Sequence, residues 1–410
     1  MNTLRLSAKE ADKAAKLLSE GGIVALPTDT VYGLAAVPGI EEAVKKVYAA
    51  KARPLDKALL LLVSDPDALD KFCRADRRAW RLAQAFWPGA LTVVLDKTDA
   101  VSYAVTSGKD TVGLRCPDSF LSRNIIRLAG GAVAAPSANI SGAEPPTNQS
   151  EVLAQLDGLI DAVVDGGECS VGTPSTIVDL TGEEAVILRE GDVSLEAINA
   201  VLSGGFVSLG VTGPTGAGKS TVLSWLEKQG ALVIDCDKLY HSMLQSDALL
   251  VEDIARHFPA AVVEGSVDRK ILGSLVFADP EKLSLLSELT GSHICRKADA
   301  ITREYLDNGG TMVVYDAIRV LEGGLNRRCD TVIGVVAPEE VRIERIMQRD
   351  GIDLAAAKAR VAAQQKNQYY IDNCDEIIVN DADRETLFEK CSLILGPAID
   401  KIRRGNYVRK

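Results

Sequence analysis

A chain of 410 residues with 47% apolar and 25% charged side chains has the make-up of a folded protein of two or three domains, which excludes a disordered, collagen-like or fibrous one. Its 46 Lys and Arg face 57 Asp and Glu, and acid exceeds base in both halves. The net charge of −11 therefore argues against a surface that grips tRNA or DNA through its phosphates, and no stable nucleic-acid binding is expected.

Along the chain, periodicity predicts a helix over 9–19, a strand over 22–26, a helix over 40–50, and strands around 58–63, 91–95, 112–115, 133–135 and 162–165. Loops rich in Pro, Gly, Ser and Thr separate them, an irregular alternation that suits an α/β domain with a sheet of mixed direction. A helical stretch over 194–202 runs into Ser203, Gly204 and Gly205, and a β-rich run follows. The boundary is placed there, giving domains 1–203 and 206–400. Beyond it the order is regular: strand 206–212, a Gly-rich turn, helix 219–229, strand 231–235, a helical region, strands 311–315 and 331–336, helix 339–349, strand 375–379 and helix 383–395. That order predicts a doubly wound parallel sheet with ligands at the carboxyl ends of its strands.

The longest strictly apolar run, 58–63, is far short of the roughly 20 residues that cross a bilayer. The N-terminus reads as a charged amphipathic helix without a signal-peptide core, so a cytoplasmic protein without membrane contact is expected. Eight cysteines with no CxxC pair, and three histidines confined to one half, give neither zinc spacing nor a disulfide framework. Reduced, mostly buried thiols follow.

In the second half, Gly213, Pro214, Thr215, Gly216, Ala217, Gly218, Lys219 and Ser220 fit GxxxxGK[ST], with Thr221 next, between a strand and an amphipathic helix. The glycines let backbone N–H groups turn onto phosphate oxygens, Lys219 reaches the β and γ phosphates, and Ser220 is the expected Mg²⁺ ligand. The next strand ends in Asp235, Cys236 and Asp237. Two carboxylates there suit a base for an acceptor hydroxyl and a holder of the metal's waters, although Asp at a strand end often only caps a turn. Arg342, Arg345 and Arg349 share one helix face, and spacing leaves open a solvated stripe or an arm that closes over a phosphate.

Over roughly 206–396 this half resembles dephospho-CoA kinase. Thr212 and the P-loop, VIDCDKLYH, GSVDRKILGSLVF with Asp268, Arg269, Leu272 and Phe277, APEEVRIERIMQRDG, Arg360, Gln364 and Asn380 carry the likeness. The resemblance implies a P-loop kinase domain with a parallel sheet, a helical CoA-side insertion and a lid. It also implies transfer of the ATP γ-phosphate to the ribose 3′-hydroxyl of dephospho-CoA, with Asp237 as base, Lys219 and Arg349 on the phosphates, and Ser220 and Asp235 on Mg²⁺. Two segments depart from the family: its His-Pro pair reads His293, Ile294, and its Pro-Leu-Leu-Phe-Glu reads Ile318, Arg319, Val320, Leu321, Glu322. Both lie on the acceptor side.

The first half has no P-loop, yet polar residues cluster in its loops. Pro27 to Leu34 set hydroxyls and Tyr32 at a strand's carboxyl end, as a capped turn or a pocket wall. Lys51, Arg53 and Lys57 crowd a helix end, to complement its dipole or to hold a triphosphate. Pro136 to Gly142 form a loop of small donors suited to phosphate or carboxylate oxygens.

With Trp87-Pro88-Gly89, Thr111 to Arg115, Pro145-Pro146-Thr147, Gly172 to Asp179 and Leu188 to Gly191, these segments resemble the threonylcarbamoyl-AMP synthase (YrdC-type) family over about 5–202. The resemblance implies a YrdC-like domain with a mixed, twisted sheet, which joins L-threonine, bicarbonate and ATP into threonylcarbamoyl-adenylate and pyrophosphate. A separate tRNA threonylcarbamoyl transferase complex would take the adenylate. It places threonine on Thr30, Tyr32, Arg115, Ala135 and Ser175, and ATP on Arg53, Lys57, Thr111, Ser137, Asn139, Pro145 and Arg189. Lys51 with Arg53 would neutralise the charge that builds at the α-phosphate. The whole then reads as a bifunctional enzyme; the alternative is a synthase whose P-loop domain only senses nucleotide.

Overall fold

The computed structural model describes residues 2–263, 265–276 and 279–405; Phe277, one of the residues that carry the kinase resemblance, lies outside them. The chain divides into two units between Ala200 and Val201.

The first unit holds two sheets built from ten short strands: β1 (Leu4–Leu6), β2 (Val24–Leu26), β3 (Gly33–Ala35), β4 (Leu60–Val63), β5 (Leu91–Asp96), β6 (Thr111–Arg115), β7 (Ala132–Ala134), β8 (Ala162–Val164), β9 (Thr176–Asp179) and β10 (Val186–Arg189). One sheet runs β1-β8-β2-β3, the other β10-β9-β5-β6-β4-β7. Parallel and antiparallel neighbours mix in both, as the irregular alternation predicted. Leu6, Leu18, Leu26, Leu62, Ile125 and Val164 meet in a core that packs the helices Ala11–Ser19 and Phe120–Leu128 against strands of both sheets.

The helix Glu41–Ala50 stops where its backbone changes hand. Ala52 takes φ +48°, a conformation that suits glycine better. Arg53 N–H then donates to Tyr48 O (2.9 Å) and Ala52 N–H to Ala49 O (3.1 Å), which satisfies the last carbonyls and sends Lys51 and Arg53 in different directions.

In the second unit, β11 (Val207–Thr212), β12 (Leu232–Asp235), β15 (Met312–Asp316), β16 (Thr331–Val336) and β17 (Glu376–Val379) form one all-parallel sheet in the order β12-β15-β11-β16-β17; a small hairpin, β13 (Val262–Val263) and β14 (Ser266–Val267), stands apart. Alternate residues bury on opposite faces. Val207, Leu209, Val211 and Val314 pack with Leu226, Leu387 and Leu395, whereas Val313, Tyr315 and Val332 pack with Cys295, Ala298 and Tyr370. Both faces are thus covered, as a parallel sheet requires. The helices between β12 and β15 bury their own cluster around Leu250, Ile254, Phe258 and Leu272, so they form a distinct helical insertion. Glu339–Asp350 and Leu354–Ala362 are joined through Ile346, Ala357 and Val361 into a helical pair beyond β16.

The last helix, Arg384–Arg403, outruns the predicted 383–395 by passing straight through Gly396 and Pro397. Burial of Leu395, Ala398, Ile399 and Ile402 outweighs the lost backbone hydrogen bond and the clash of the proline ring with the preceding turn, which together cost a helix interior about 3 kcal/mol. All eight cysteines are buried, and among the described residues none is joined in a disulfide. Among the described residues, no helix is long and apolar enough to cross a membrane.

Candidate active sites

In the second unit the P-loop lies between β11 and the helix Lys219–Lys228, whose first N–H groups have no acceptor within the helix. The loop fits only glycine at its turning points. A Cβ on Gly213 (φ +148°) would stand 2.2 Å from Val335 O, and one on Gly218 (φ +94°) 2.0 Å from Asn380 Nδ2. Gly213→Ala should therefore lower the melting temperature of this unit and its nucleotide affinity together, because the clash is with backbone and adds to about 1–3 kcal/mol of conformational strain.

Four side chains grip the loop from outside. Gln364 Oε1 accepts from Thr215 N (2.8 Å) and its Nε2 donates to Thr215 Oγ1 (2.6 Å). Arg342 donates to Thr215 O (3.0 Å) and to Gln364 Oε1 (3.1 Å). Arg345 reaches Gly216 O and Asn380, and Asn380 Nδ2 donates to Ala217 O (2.8 Å). The arginine stripe is thus divided among different partners. Arg342 and Arg345 brace the loop, while Arg349, with its side chain 59% exposed, lies bidentate on Asp350, which Arg360 also contacts.

The carboxylates at the edge of the sheet differ from one another. Asp235 caps the helix Cys236–Ser246 by accepting from Lys238 N (2.9 Å), and its other oxygen meets Lys238 Nζ at 2.9 Å. These contacts hold its carboxyl below the usual range against the opposing effect of burial. The capping role of an Asp at a strand end is thus realised at Asp235, and Asp237 in the first helical turn stands exposed. A third carboxylate, Asp316 at the end of β15, was not singled out from the sequence. It lies in register with Asp235 and 3.4 Å from Lys219 Nζ. Burial raises its carboxyl pKa against the pull of Lys219. The signal was there to read, since MVVYD ends in Asp at the same edge of the sheet as Asp-Cys-Asp.

On the acceptor side, His293 is buried between Asp253 Oδ2 (2.9 Å from Nε2) and Arg296 Nη2, which donates to Nδ1 at 2.8 Å. With Nδ1 accepting, the ring's proton is on Nε2. Ile294 packs into the core beside β15. Ile318 is 47% exposed, its carbonyl accepting from Thr212 Oγ1.

In the first unit two of the residues expected on threonine, Arg115 and Thr30, meet. Arg115, at the end of β6, donates from Nε to Gly89 O (2.9 Å), from Nη1 to Thr30 Oγ1 (2.5 Å) and from Nη2 to Asp29 Oδ1. Arg115 and Asp29 side chains are each only 5% exposed. Among the described residues these take three of the five guanidinium N–H groups and leave two, one on each terminal nitrogen, the number that a carboxylate takes in a fork. Ser175 Oγ pairs with Thr92 Oγ1 (2.8 Å), and Arg189 grips Ser175 through O (2.8 Å) and Oγ (3.2 Å), so a residue expected on ATP is tied to one expected on threonine. Tyr32 binds the 166–167 loop, accepting from Gly166 N and donating to Gly167 O. Ala135 is buried, its N–H on Leu60 O.

Lys51 is 1% exposed. Its ammonium donates to Ser137 O, Asn139 O and Asn139 Oδ1, while Asn139 Nδ2 holds Ile140 O and Ala143 O. Lys51 thus clasps the Ser137–Asn139 loop to the helix end. Burial, and secondarily Arg53, brings its amine down to about 7. Arg53 folds back on Lys57 O and Ala58 O, Lys57 is exposed, Thr111 opens β6 and Pro145 precedes the Pro146 carbonyl that accepts from Tyr32 N. Asp29, which orients Arg115, is the site residue that sequence reading left without a role.

A family model for Sua5, YciO and YrdC proteins, described as "Telomere recombination", matches residues 16–191, and one for dephospho-CoA kinase matches 207–385. A threonylcarbamoyl-AMP synthase of Bacillus subtilis is 44% identical over 192 residues, covering 46% of this chain and 56% of its own length. A related Methanocaldococcus jannaschii protein is 32% identical over 197 residues, 47% of this chain and 93% of its own. A dephospho-CoA kinase of Anaeromyxobacter dehalogenans is 34% identical over 189 residues, 46% of this chain and 90% of its own. The chain spans little more than half the length of the Bacillus relative. It is a fusion of two enzyme families, its first unit belonging to the threonylcarbamoyl-AMP synthases and its second to the dephospho-CoA kinases.

Proposed function

We propose that the chain carries two separate ATP-consuming activities: synthesis of L-threonylcarbamoyl-adenylate from L-threonine, bicarbonate and ATP, and phosphorylation of the ribose 3′-hydroxyl of dephospho-CoA. The observation that supports it is the placement of cations. Among the described residues Lys51, Arg53 and Arg189 meet carbonyl or hydroxyl oxygens and no carboxylate, and burial depresses the pKa of each. A desolvated cation without its own counter-ion favours an anionic ligand.

In the first unit, the threonine amine attacks bicarbonate carbon, water leaves, and an oxygen of the resulting carbamate attacks the α-phosphate of ATP as pyrophosphate departs. Arg115 offers its two remaining N–H groups to the threonine carboxylate. Arg53, Lys57, Thr111, Ser137, Asn139, Pro145 and Arg189 surround the nucleotide, and Lys51 holds the loop that carries Ser137. Positioning and charge neutralisation then supply the catalysis without a covalent nucleophile. A separate tRNA-modifying transferase would consume the adenylate.

In the second unit the acceptor hydroxyl attacks the γ-phosphorus, the bond to the β–γ bridging oxygen breaks to release ADP, and Asp237 takes the proton. Gly213, Gly216, Ala217, Gly218, Lys219, Ser220 and Thr221 form the cradle. The residues suit Mg²⁺ brought in with the nucleotide. No three carboxylate, thiol or imidazole groups cluster as a metal site among the described residues, but a Mg²⁺ that shares phosphate oxygens needs only one or two protein groups. Ser220 and the carboxylates Asp316 and Asp235 flank that place, and the metal would neutralise charge on the phosphate oxygens. Arg349 would reach the phosphates only by leaving Asp350, as a lid movement would require.

Purified chain with ATP, Mg²⁺ and bicarbonate is expected to release pyrophosphate only when L-threonine is present, and to form ADP only when dephospho-CoA is present. Arg53→Ala should abolish the first and Lys219→Ala the second, each sparing the other. Pyrophosphate release independent of threonine would remove the synthase reading. ADP formation indifferent to dephospho-CoA would make the second unit a nucleotide-sensing module.

A further inference from the structure

The segment after β15 has no task in the reaction as written, although the sequence departs there from the kinases it resembles. Where they have the first leucine of Pro-Leu-Leu-Phe-Glu, this chain has Arg319. Its backbone is fixed on both sides. Ile318 O accepts from Thr212 Oγ1 (2.9 Å) at the foot of the P-loop, and Arg319 O accepts from Gly323 N (2.8 Å). Val320 is fully buried against Gly210, where a Cβ would stand 2.9 Å from Val320 Cγ1. The side chain of Arg319, by contrast, is exposed and hardly engaged. Nη1 donates to Ser287 Oγ (2.7 Å), and among the described residues no carboxylate pairs with the guanidinium, which leaves four of its five N–H groups to water or a ligand. Arg256, Arg296 and Arg360 of the same unit each meet a carboxylate. Ser287 lies on the long helix Pro280–Asp307, whose Leu286 and Leu289 pack with Met243 and Leu244 of the helix that carries Asp237. Arg319 thus reaches from the edge of the sheet to the insertion that holds the proposed base.

We propose that Arg319 is a specificity-determining residue of the second unit, binding the diphosphate of the acceptor while Asp237 faces the 3′-hydroxyl. The proposal rests on reading this unit as a kinase of dephospho-CoA. In that acceptor the diphosphate and the 3′-hydroxyl are carried by one ribose, so the cation that recognises the first must stand within a side chain's length of the base that meets the second. Asp237 and Arg319 satisfy this by position. They follow β12 and β15, which are neighbours in the sheet, about 4.8 Å apart, and end in register at Asp235 and Asp316. The guanidinium fork matches two phosphate oxygens, and on a fixed loop it gives up little freedom when it binds. A contact so far from the transferred phosphoryl group is made alike before and during the reaction, so it acts on KM and leaves kcat alone. An arginine that merely ties its loop to the insertion would act through Ser287, and loss of Ser287 would reproduce its removal.

The test is steady-state ADP formation by the full chain with Mg²⁺ and saturating ATP, without threonine so that the first unit is idle. Arg319→Leu is expected to raise KM for dephospho-CoA roughly tenfold with kcat almost unchanged, as loss of one charge-assisted contact would do. Arg319→Lys, which keeps the charge without the fork, should fall between the two. Ser287→Ala removes the tether and keeps the guanidinium, so its KM should stay near that of the parent. Adenosine, which offers the 3′-hydroxyl without the diphosphate, should compete with dephospho-CoA with the same inhibition constant in the parent and in Arg319→Leu. An unchanged KM in folded Arg319→Leu overturns the proposal. So does a Ser287→Ala chain whose KM rises equally, which makes Arg319 a tether, or an adenosine inhibition constant that rises in step with KM, which makes it a residue that only shapes the site. ADP formation by the parent that ignores dephospho-CoA overturns instead the reading of the second unit, and the proposal falls with it.

Discussion

Asp237→Asn is expected to lower kcat for dephospho-CoA-dependent ADP formation by roughly 10²–10⁴, the usual worth of a positioned general base, with ADP affinity almost unchanged. The division of labour at the end of β12 is the reason. Asp235 caps the helix Cys236–Ser246, so Asp237 is not needed to start it. The Asp237 side chain is exposed, and among the described residues it accepts no side-chain hydrogen bond, so the substitution should cost the fold no more than about 0.5 kcal/mol. A pure kcat effect is thereby separable from instability. Asp235→Ala should behave in the contrary way, weakening the helix start and removing the pair with Lys238 before it touches chemistry. If Asp237→Asn turned over at the parental rate at saturating acceptor, the proton would have to leave by another group, and Asp235 and Asp316, side by side at the strand ends, would be the carboxylates to consider.

The two units were not equally legible. The parallel sheet was read almost strand for strand, because strands buried on both faces, such as Val207–Thr212 and Thr331–Val336, leave long apolar runs, and the Gly-rich turn fixes where the next helix begins. In the first unit β1, β3, β9 and β10 escaped. Strands of three or four residues complete hardly two periods, and Val186–Arg189 is mostly exposed, so no face is marked by burial. Gly396-Pro397 looked like a helix stop because local propensity was read without the buried Leu395, Ala398 and Ile402 that override it.

Site residues followed a related pattern. Groups carried by a contiguous motif, such as the P-loop or the Ser137–Asn139 loop, can be singled out from the sequence. Contacts that exist only across the fold cannot. Nothing near position 29 announces that its carboxylate will meet an arginine 86 residues later, and nothing near Lys51 says that its ammonium will close on carbonyls 86 and 88 residues away. The three arginines on one helix face divided into two loop braces and one exposed side chain, because Gly216 and Thr215 approach only the part of the helix that carries Arg342 and Arg345.

Asp29 gives the first unit its largest expected effect. Arg115 is buried, with desolvation pulling its guanidinium below the usual range and Asp29 opposing that pull. Asp29 Oδ1 accepts from Arg115 Nη2 and also from Asp118 N (3.0 Å), so one oxygen ties the end of β6 to the turn after β2. Asp29→Ala would leave a buried guanidinium unpaired, a change that usually costs about 3–5 kcal/mol. The stability loss should appear as early melting of the first unit, with ADP binding by the second unit retained at temperatures below that transition. Asp29→Asn is the sharper variant. It keeps the side-chain shape and one acceptor for Arg115, so folding should suffer less, but the guanidinium loses its charged partner and its fixed orientation toward Thr30. Threonine carboxylate would then be met by a mobile cation, raising KM for threonine by about ten- to a hundredfold, as loss of 1.4–2.8 kcal/mol of orientation would do, with a smaller change in kcat for saturating threonine. L-threoninol, which lacks the carboxylate, should be discriminated against strongly by the parent chain and much less by Asp29→Asn. Equal discrimination in both would mean that Arg115 does not hold the carboxylate, and that Asp29 serves only to close the fold around a buried arginine.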